Sequence, residues 1–410
     1  MLITCAQLFP LEVPMGKPIK MAGETVTHAS TLLLRLIDED GREGWGEASS
    51  APLMTGETLG SIAASTEYLV GKLVGQRIAD PAAIAPLQER VLYGNASAKS
   101  CHETALMDLF AQRQQVPLYR LLTGGAGMLG RPAQSGQSAQ PGQLGQSNRP
   151  GNGARLPSAS AGRLEMLHML ASGDLDSELE EAHRLRAEGY RQWKIKIGAG
   201  SVANDVRRVH AICAALAGDV VSADANQALP VNAASTIAAA GAASGMTFLE
   251  QPFRTGMLAE MTVLHRASGL ALCADESIQG MADIDEHHHA AAAQGISLKL
   301  IKLGGTQALL AAGRLCLAHG MRINLACKVA ETTISAAATA HAGFALGDVA
   351  WGFSMSNRYL AADVCAQPLA PVQGAITTAQ FERPGLGFAP EAARLREFAS
   401  AALAVREFRS

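Results

Sequence analysis

The chain has no CxxC pair, no uncharged apolar run of about 18 residues, and no GxGxxG after any of its apolar strands. Each absence removes a class. The seven cysteines (Cys5, Cys101, Cys213, Cys273, Cys316, Cys327, Cys365) are odd in number and widely scattered, which suggests neither a disulfide framework nor a structural zinc site. Without a long apolar run, no membrane span is expected. Without the glycine fingerprint, nucleotide binding on an open sheet loses its main signal. A formal net charge of −3 over 410 residues, with no basic stripe, gives no reason to expect a nucleic-acid partner. The opening "MLITCAQLFPLEV" alternates like a strand and has neither the basic stretch nor the small-residue cleavage site of a signal peptide. The expectation is a soluble cytoplasmic protein with a core large enough for two domains, or for a barrel with an appendage.

Three regions differ in character. Residues 1–125 read as α+β: "STLLLRLIDEDGREGWGEA" is a strand, a DG turn and a second strand. A helical pattern follows around Ala105 to Gln115 and ends before Pro117. Residues 126–162 are almost all Gly, Ser, Gln, Pro and Ala, too poor in apolar surface to offset the entropy of ordering, and read as a mobile insertion or linker. From residue 163 to 354, short apolar runs alternate with Ala-rich helical stretches. The runs are "RLEMLHML", "QWKIKIG", "DVVSADANQ", "MTFLEQP", "LALCADES", "SLKLIKLGG", "RINLACK" and "VAWGFS". Fully apolar strands separated by helices predict a parallel sheet covered on both faces, here a TIM-type α/β barrel.

Polar residues recur where these strands finish: Lys194 and Lys196, Asp224 and Asn226, Glu250, Asp275 and Glu276, and Lys299. Successive steps from Lys196 through Asp224, Glu250 and Asp275 to Lys299 are 28, 26, 25 and 24 residues, about one βα unit each. In a barrel that period sets all of them at the C-terminal mouth, where TIM-barrel active sites lie. Three carboxylates on adjacent strands supply oxygen ligands to one hard cation, and Mg²⁺ suits them because it keeps open positions for water and substrate. Taken singly, each residue has a plainer explanation. An acid ending a strand is usually a helix cap or loop residue, and a KxK strand usually faces solvent. Lys302 reads either as an exposed charge or as a pairing partner. The recurrence of the whole set is what favours a site.

At these residues the chain resembles the enolase superfamily, specifically the mandelate racemase/muconate lactonizing enzyme family and its muconate lactonizing subgroup. "KIKIG", "DANQ", "EQP", "DES" and "LKLIKLGG" carry the resemblance, in order. "GWGEASSAPLMTGET", "NASAKSCHETALMDL" and "VPLYRLLTGG" look like that family's capping domain, and "RPGLGF" like its closing segment. The resemblance implies a (β/α)₇β barrel under an α+β capping domain built from both chain ends, with residues 355–410 returning to the cap. It implies Mg²⁺, with Mn²⁺ as an alternative, on Asp224, Glu250 and Asp275. Lys196 and Lys299 would be an acid/base pair that moves the proton α to a substrate carboxylate, through an enediolate. Lys194 would tune Lys196 and meet the developing oxyanion. Asn226 and Glu276 would hold these groups in place, and Glu331 resembles a pocket-floor acid. A homo-oligomer acting on a small carboxylate, away from nucleic acid and membrane, is the implied setting.

The loops around "SSAPLMTGET" look most like those of dipeptide epimerases. That group carries an Asp-x-Asp pair for the substrate ammonium, whereas Phe353 and Met355 stand at those positions here. Racemisation or epimerisation of an N-substituted or cyclic, proline-like amino acid is therefore expected. Dehydration of a substrate such as a 3-hydroxyproline, or cycloisomerisation, is the alternative, and a non-catalytic carboxylate binder is a third. Trp351, Asn357 and Arg358 are candidates for shaping the pocket.

Overall fold

In the computed structural model, residues 1–21, 24–124 and 162–410 are described; the Gly/Ser/Gln-rich segment lies outside them, apart from Gly162. The chain begins with three antiparallel strands, β1 (Ile3–Met21), β2 (Glu24–Asp38) and β3 (Glu43–Ser49). The turn between β2 and β3 uses Gly41 at φ +77°, in the left-handed region where glycine is favoured. Four helices follow: α1 (Leu59–Leu73), α2 (Ile84–Val91), α3 (Ala96–Arg113) and α4 (Leu118–Gly124). The helix read around Ala105–Gln115 is thus the second half of α3. That helix lies directly on β3, and "GWG" is the reason. A Cβ on Gly44 would stand 2.2 Å from Ala105 O, and one on Gly46 1.9 Å from Cys101 O.

The next elements run β4 (Arg163–Glu165), β5 (Leu167–Leu170), α5 (Leu175–Ala187), β6 (Gln192–Lys196), α6 (Val202–Ala215), β7 (Val220–Asp224) and α7 (Val231–Ala243). They continue with β8 (Phe248–Glu250), α8 (Leu258–Ser268), β9 (Ala271–Ala274), α9 (Met281–His289), β10 (Gly295–Leu298), α10 (Leu300–Leu303) and α11 (Thr306–Ala318). Then come β11 (Arg322–Ala326), α12 (Thr333–Leu346), β12 (Phe353–Ser354), β13 (Ala375–Thr377), α13 (Ala392–Glu397) and β14 (Arg406–Arg409). Strands β5 to β12 form one parallel sheet in sequence order, and a Met166–Phe353 bridge joins its two edges. This is a (β/α)₇β barrel beneath an α+β cap. β14 pairs antiparallel with β1, Ala6 opposite Phe408, so the two ends of the chain share the cap's sheet. The run "RLEMLHML" is two strands rather than one. β4 pairs antiparallel with β13, outside the barrel, and only β5 enters it.

Buried carboxylates clamp the cap to the barrel. Glu47 on β3 accepts from Thr332 N (2.9 Å) and Ser335 N (2.9 Å) at the start of α12. Glu103 on α3 accepts from Thr306 N (2.8 Å) and Gln307 N (3.1 Å) at the start of α11. Both satisfy free N–H groups at helix N-termini, where negative charge is favoured. The cap is thereby fixed over the barrel mouth. Among the described residues, no helix is long and apolar enough to cross a membrane.

Candidate active site

The strand ends lie side by side. Lys196 is opposite Asp224, and Asp224 opposite Glu250, in register. Asp275 follows β9 immediately, and Lys299 follows β10 immediately, with extended backbone. All of these, with Lys194, Asn226 and Glu276, line one cavity of about 620 Å³ at the barrel mouth. β6 is buried along its length apart from Lys196, which is half-buried. Lys194 and Lys196 therefore point into the barrel mouth, where carboxylates compensate their charge.

Each lysine has its own acid. Lys194 Nζ lies 2.5 Å from Glu250 Oε2, Lys196 Nζ donates to Asp224 Oδ2 at 2.6 Å, and Lys299 Nζ donates to Asp275 Oδ2. Lys196 also donates to Asn226 Oδ1 (2.6 Å), and Asn226 Nδ2 donates to Glu276 Oε1 (3.1 Å). Asn226 holds this bridging position at φ +42°, its own N–H donating to Asp224 Oδ1 at 3.0 Å.

Electrostatics follow from this packing. Burial alone would lower Lys194, but the charges of Glu250, Asp224 and Asp275 outweigh it and hold its ammonium above the ordinary range. Burial opposes ionisation of Asp224 too, yet Lys196 and Lys194 keep its carboxyl below the usual value. Asp275 is held low in the same way, by Lys299 and Lys302. Glu250 goes the other way: burial, with the neighbouring Asp224 and Asp275 charges, pushes it up. Burial also lifts Glu276 to about 7, with the Asp275 and Asp224 charges adding to it.

Among the described residues, no three acidic, histidine or cysteine side chains converge as a ready-made cation cage, because each carboxylate is turned toward a lysine. The donor set still fits a hard cation. Asp224, Glu250 and Asp275 end neighbouring strands, all three are buried, and Glu250 Oε1 has no hydrogen-bond partner. A buried carboxylate oxygen left unpaired is costly unless something positive meets it.

Some sequence expectations land elsewhere. Glu331 is buried but does not line the cavity; its Oε2 accepts from Lys328 N at 3.0 Å beneath the loop after β11. Trp351 stacks on Phe248, with ring centroids 4.0 Å apart, away from the cavity. Asn357 binds Leu369 O and Thr333 Oγ1, and Arg358 donates to Tyr190 Oη. None of these three lines the cavity, whereas Ser354, Met355 and Tyr359 do. Phe353 is fully buried in the barrel core and Met355 faces the cavity.

Of the two readings open to Lys302 the structure shows the pairing partner, while two other supporting residues, Asn324 and Arg208, escaped the sequence reading. Lys302 is not on the strand: α10 turns it back so that its Nζ donates to Asp275 Oδ1 (2.8 Å), Asp275 O (2.5 Å) and Ser297 O (2.9 Å). Its i,i+3 spacing from Lys299 was the available signal. Asn324 Nδ2 donates to Glu250 Oε2 at 3.2 Å, and its one sign was an amide inside an apolar strand. Arg208 grips Glu178 with two bonds (2.7 and 2.8 Å) and reaches Lys196 O at 2.9 Å.

Residues 177–394 match the family model "Enolase C-terminal domain-like", and residues 5–123 match "Mandelate racemase / muconate lactonizing enzyme, N-terminal domain". The chain is 28% identical to a chloromuconate cycloisomerase of Cupriavidus pinatubonensis, over 95% of this chain and 97% of that one. It is 27% identical to the L-Ala-D/L-Glu epimerase of Bacillus subtilis, over 81% of this chain and 82% of that one. Its fold superposes on the muconate lactonizing enzyme of Pseudomonas fluorescens complexed with muconolactone. That likeness has a TM-score of 0.82 and 27% identity, and covers 97% of this chain and 99% of the other.

Proposed function

The chain belongs to the mandelate racemase/muconate lactonizing enzyme family of the enolase superfamily, and on that premise we propose that it is a Mg²⁺-dependent racemase or epimerase acting at the carbon α to a carboxylate. Its substrate in this reading is an N-substituted or cyclic amino acid. One observation carries the proposal. Lys196 ends β6 and Lys299 follows β10, four strands apart in an eight-stranded barrel, so the two amines flank the cavity from opposite sides. Two bases on opposite faces of one carbon can remove a proton from one side and return one from the other, which inverts it.

A divalent cation on Asp224, Glu250 and Asp275 would supply positive charge beside the substrate carboxylate and so acidify the α-carbon. The chain's own groups do the rest. Lys196 and Lys299 exchange their present carboxylate partners for the substrate, one as amine and one as ammonium. Asn226 keeps Lys196 Nζ in place from the side. Lys302 stays on the Asp275 carbonyl and holds that carboxylate ionised. The cavity wall at Met355 has no carboxylate for a free substrate ammonium, which favours a nitrogen that is acylated, alkylated or in a ring.

A second reading uses one lysine as base and the other as electrostatic support, giving cycloisomerisation or dehydration. Its support is the near-complete coverage of the chloromuconate cycloisomerase relative. Incubation of N-acyl amino acids and proline derivatives with the Mg²⁺-loaded protein in D₂O separates the two. The expected result is α-deuterium with inversion. Loss of water from a 3-hydroxyproline, or lactone formation from a muconate, without exchange at any amino acid, would overturn the racemase reading. Lys196→Ala and Lys299→Ala are each expected to lower turnover by about 10²- to 10⁴-fold; full activity in both would sink the mechanism.

A further inference from the structure

Lys196 stands where its strand loses a neighbour. β5 pairs with β6 only as far as Leu170 opposite Ile195, whereas β7 continues to Asp224 opposite Lys196. The N–H and C=O of one trans peptide point in opposite directions. Ile197 N donates to Asp224 O at 3.0 Å, on the β7 side, so the Lys196 carbonyl faces the side that β5 has left. A buried carbonyl without a donor there would be costly and would leave the strand end free to turn. Arg208 on α6 supplies the donor, its Nη1 reaching Lys196 O at 2.9 Å.

The guanidinium is held in turn. Its Nε and Nη2 donate to Glu178 Oε2 (2.8 Å) and Oε1 (2.7 Å), and Nη1 also donates to Asp205 Oδ1 (3.0 Å). Asp205 Oδ2 accepts from Gly198 N at 2.9 Å, where the chain turns away at φ +86°. Both ends of the step from Lys196 to Gly198 are therefore tied to one triad, and all three of its residues are buried. A buried ion triad is a poor device for stability alone, because apolar residues of the same volume often do as well or better. Apolar residues could not, however, hold Lys196 O and Gly198 N in place. Among the described residues, none of the triad's side-chain bonds reaches β10 or Lys299. Asp224 and Asn226 fix the tip of Lys196. When the amine leaves Asp224 for substrate, the grip on its backbone remains.

Resting on the reading above, we infer that Arg208 is a positioning residue for Lys196 alone, and so serves proton transfer on one face of the substrate. On that face, Lys196 as amine takes the α-proton and the C–H electron pair passes to the substrate carboxylate. Lys299 as ammonium then delivers a proton to the opposite face.

The test follows α-deuterium exchange of N-acetyl-L-leucine and N-acetyl-D-leucine separately, in D₂O, on the full Mg²⁺-loaded chain. Mirror images have equal energy, so kcat/KM for racemisation falls equally in both directions, whereas exchange of each enantiomer reports one face. Lys196→Ala identifies the enantiomer whose proton faces Lys196, by abolishing its exchange. Arg208→Met keeps the bulk and removes the donors. It should slow exchange of that same enantiomer by about 10²-fold, the cost of a displacement of about 1 Å, and of the other by under about threefold. The kcat for racemisation should fall while KM stays near native, and Arg208→Lys should recover part of the loss. Glu178→Gln/Arg208→Met leaves no lone charge from that pair and gives the same comparison where R208M does not fold. Equal slowing of both enantiomers, slowing of neither, or slowing of the opposite one overturns the inference and leaves the racemase reading in place. Exchange of neither enantiomer by the native protein overturns the racemase reading instead. A crystal structure of the double variant then decides the inference. Lys196 Nζ still bonded to both Asp224 and Asn226 overturns it, and an Nζ displaced from either sustains it.

Discussion

Lys302 shows how a single side chain can support a site without lining it. It is fully buried and its three acceptors surround the ammonium, so Lys302→Met leaves Asp275 O and Ser297 O bare and removes one counter-charge from Asp275. Breaking a buried pair in this way costs about 3–5 kcal/mol, and losing a group that orients a ligand weakens metal binding about 10- to 100-fold. Urea unfolding and a Mg²⁺ titration of K302M measure the two effects; an unchanged midpoint and affinity would refute the role. Glu331 allows a test in pH. Burial, with the Glu47 charge nearby, lifts its carboxyl from 4.5 to about 8. An acid raised on folding contributes stability that is whole below its unfolded pKa and is lost as pH rises toward the folded one. The native protein should therefore lose stability to this group between about pH 4.5 and 8. Glu331→Gln has no such loss. Its thermal midpoint should gain on the native one across that window and then level off, and a constant offset would contradict the assignment.

At the level of elements, the β3–α3 contact and the exposed face of α1 make opposite predictions for the same substitution. Gly46→Ala drives a Cβ into the Cys101 carbonyl, 1.9 Å away, and forces strand and helix apart. The expected loss is at least 1–3 kcal/mol, the usual cost of overpacking. Gly60 lies in the first turn of α1, and a Cβ there meets nothing within 4 Å. Gly60→Ala should gain about 0.5–1 kcal/mol by removing freedom from the unfolded chain. Chemical denaturation of both variants checks the pair, and a shift of the same sign in each would show that the close approach has been misread. The β3–α3 packing matters to the site because Glu47 and Glu103, on these two elements, bind the starts of α12 and α11.

For the whole molecule, the pairing of three lysines with three carboxylates means that the barrel mouth is electrostatically closed without a cation. Removing metal with EDTA should abolish turnover while leaving the far-ultraviolet circular dichroism intact. Adding Mg²⁺ back should raise the melting temperature, since a ligand at 100 times its Kd stabilises the native state by about 2.7 kcal/mol. Asp224→Asn, Glu250→Gln and Asp275→Asn should each blunt that rise. Unfolding in EDTA, or a Mg²⁺ effect that survives all three variants, would show that the cation acts elsewhere.

The sequence by itself determined the barrel, the cap and the chemical character of the mouth. Apolar strands alternating with helices leave a parallel, doubly covered sheet as the arrangement that buries them all. A repeat of one βα unit then brings Lys196, Asp224, Glu250, Asp275 and Lys299 to the same rim. Tertiary structure alone decided which groups touch. Lys302 meets Asp275 only because the chain leaves β10 as a helical turn, and Arg208 meets Lys196 O across the step from α6 to β6. Glu331, next to cavity-lining residues in sequence, is turned under its loop, and Phe353 points into the core while Met355 faces the cavity. Periodicity specifies the face on which a residue lies, because side-chain direction repeats with the backbone. Partners in loops and across elements depend on packing between segments far apart in the chain, which no local pattern records.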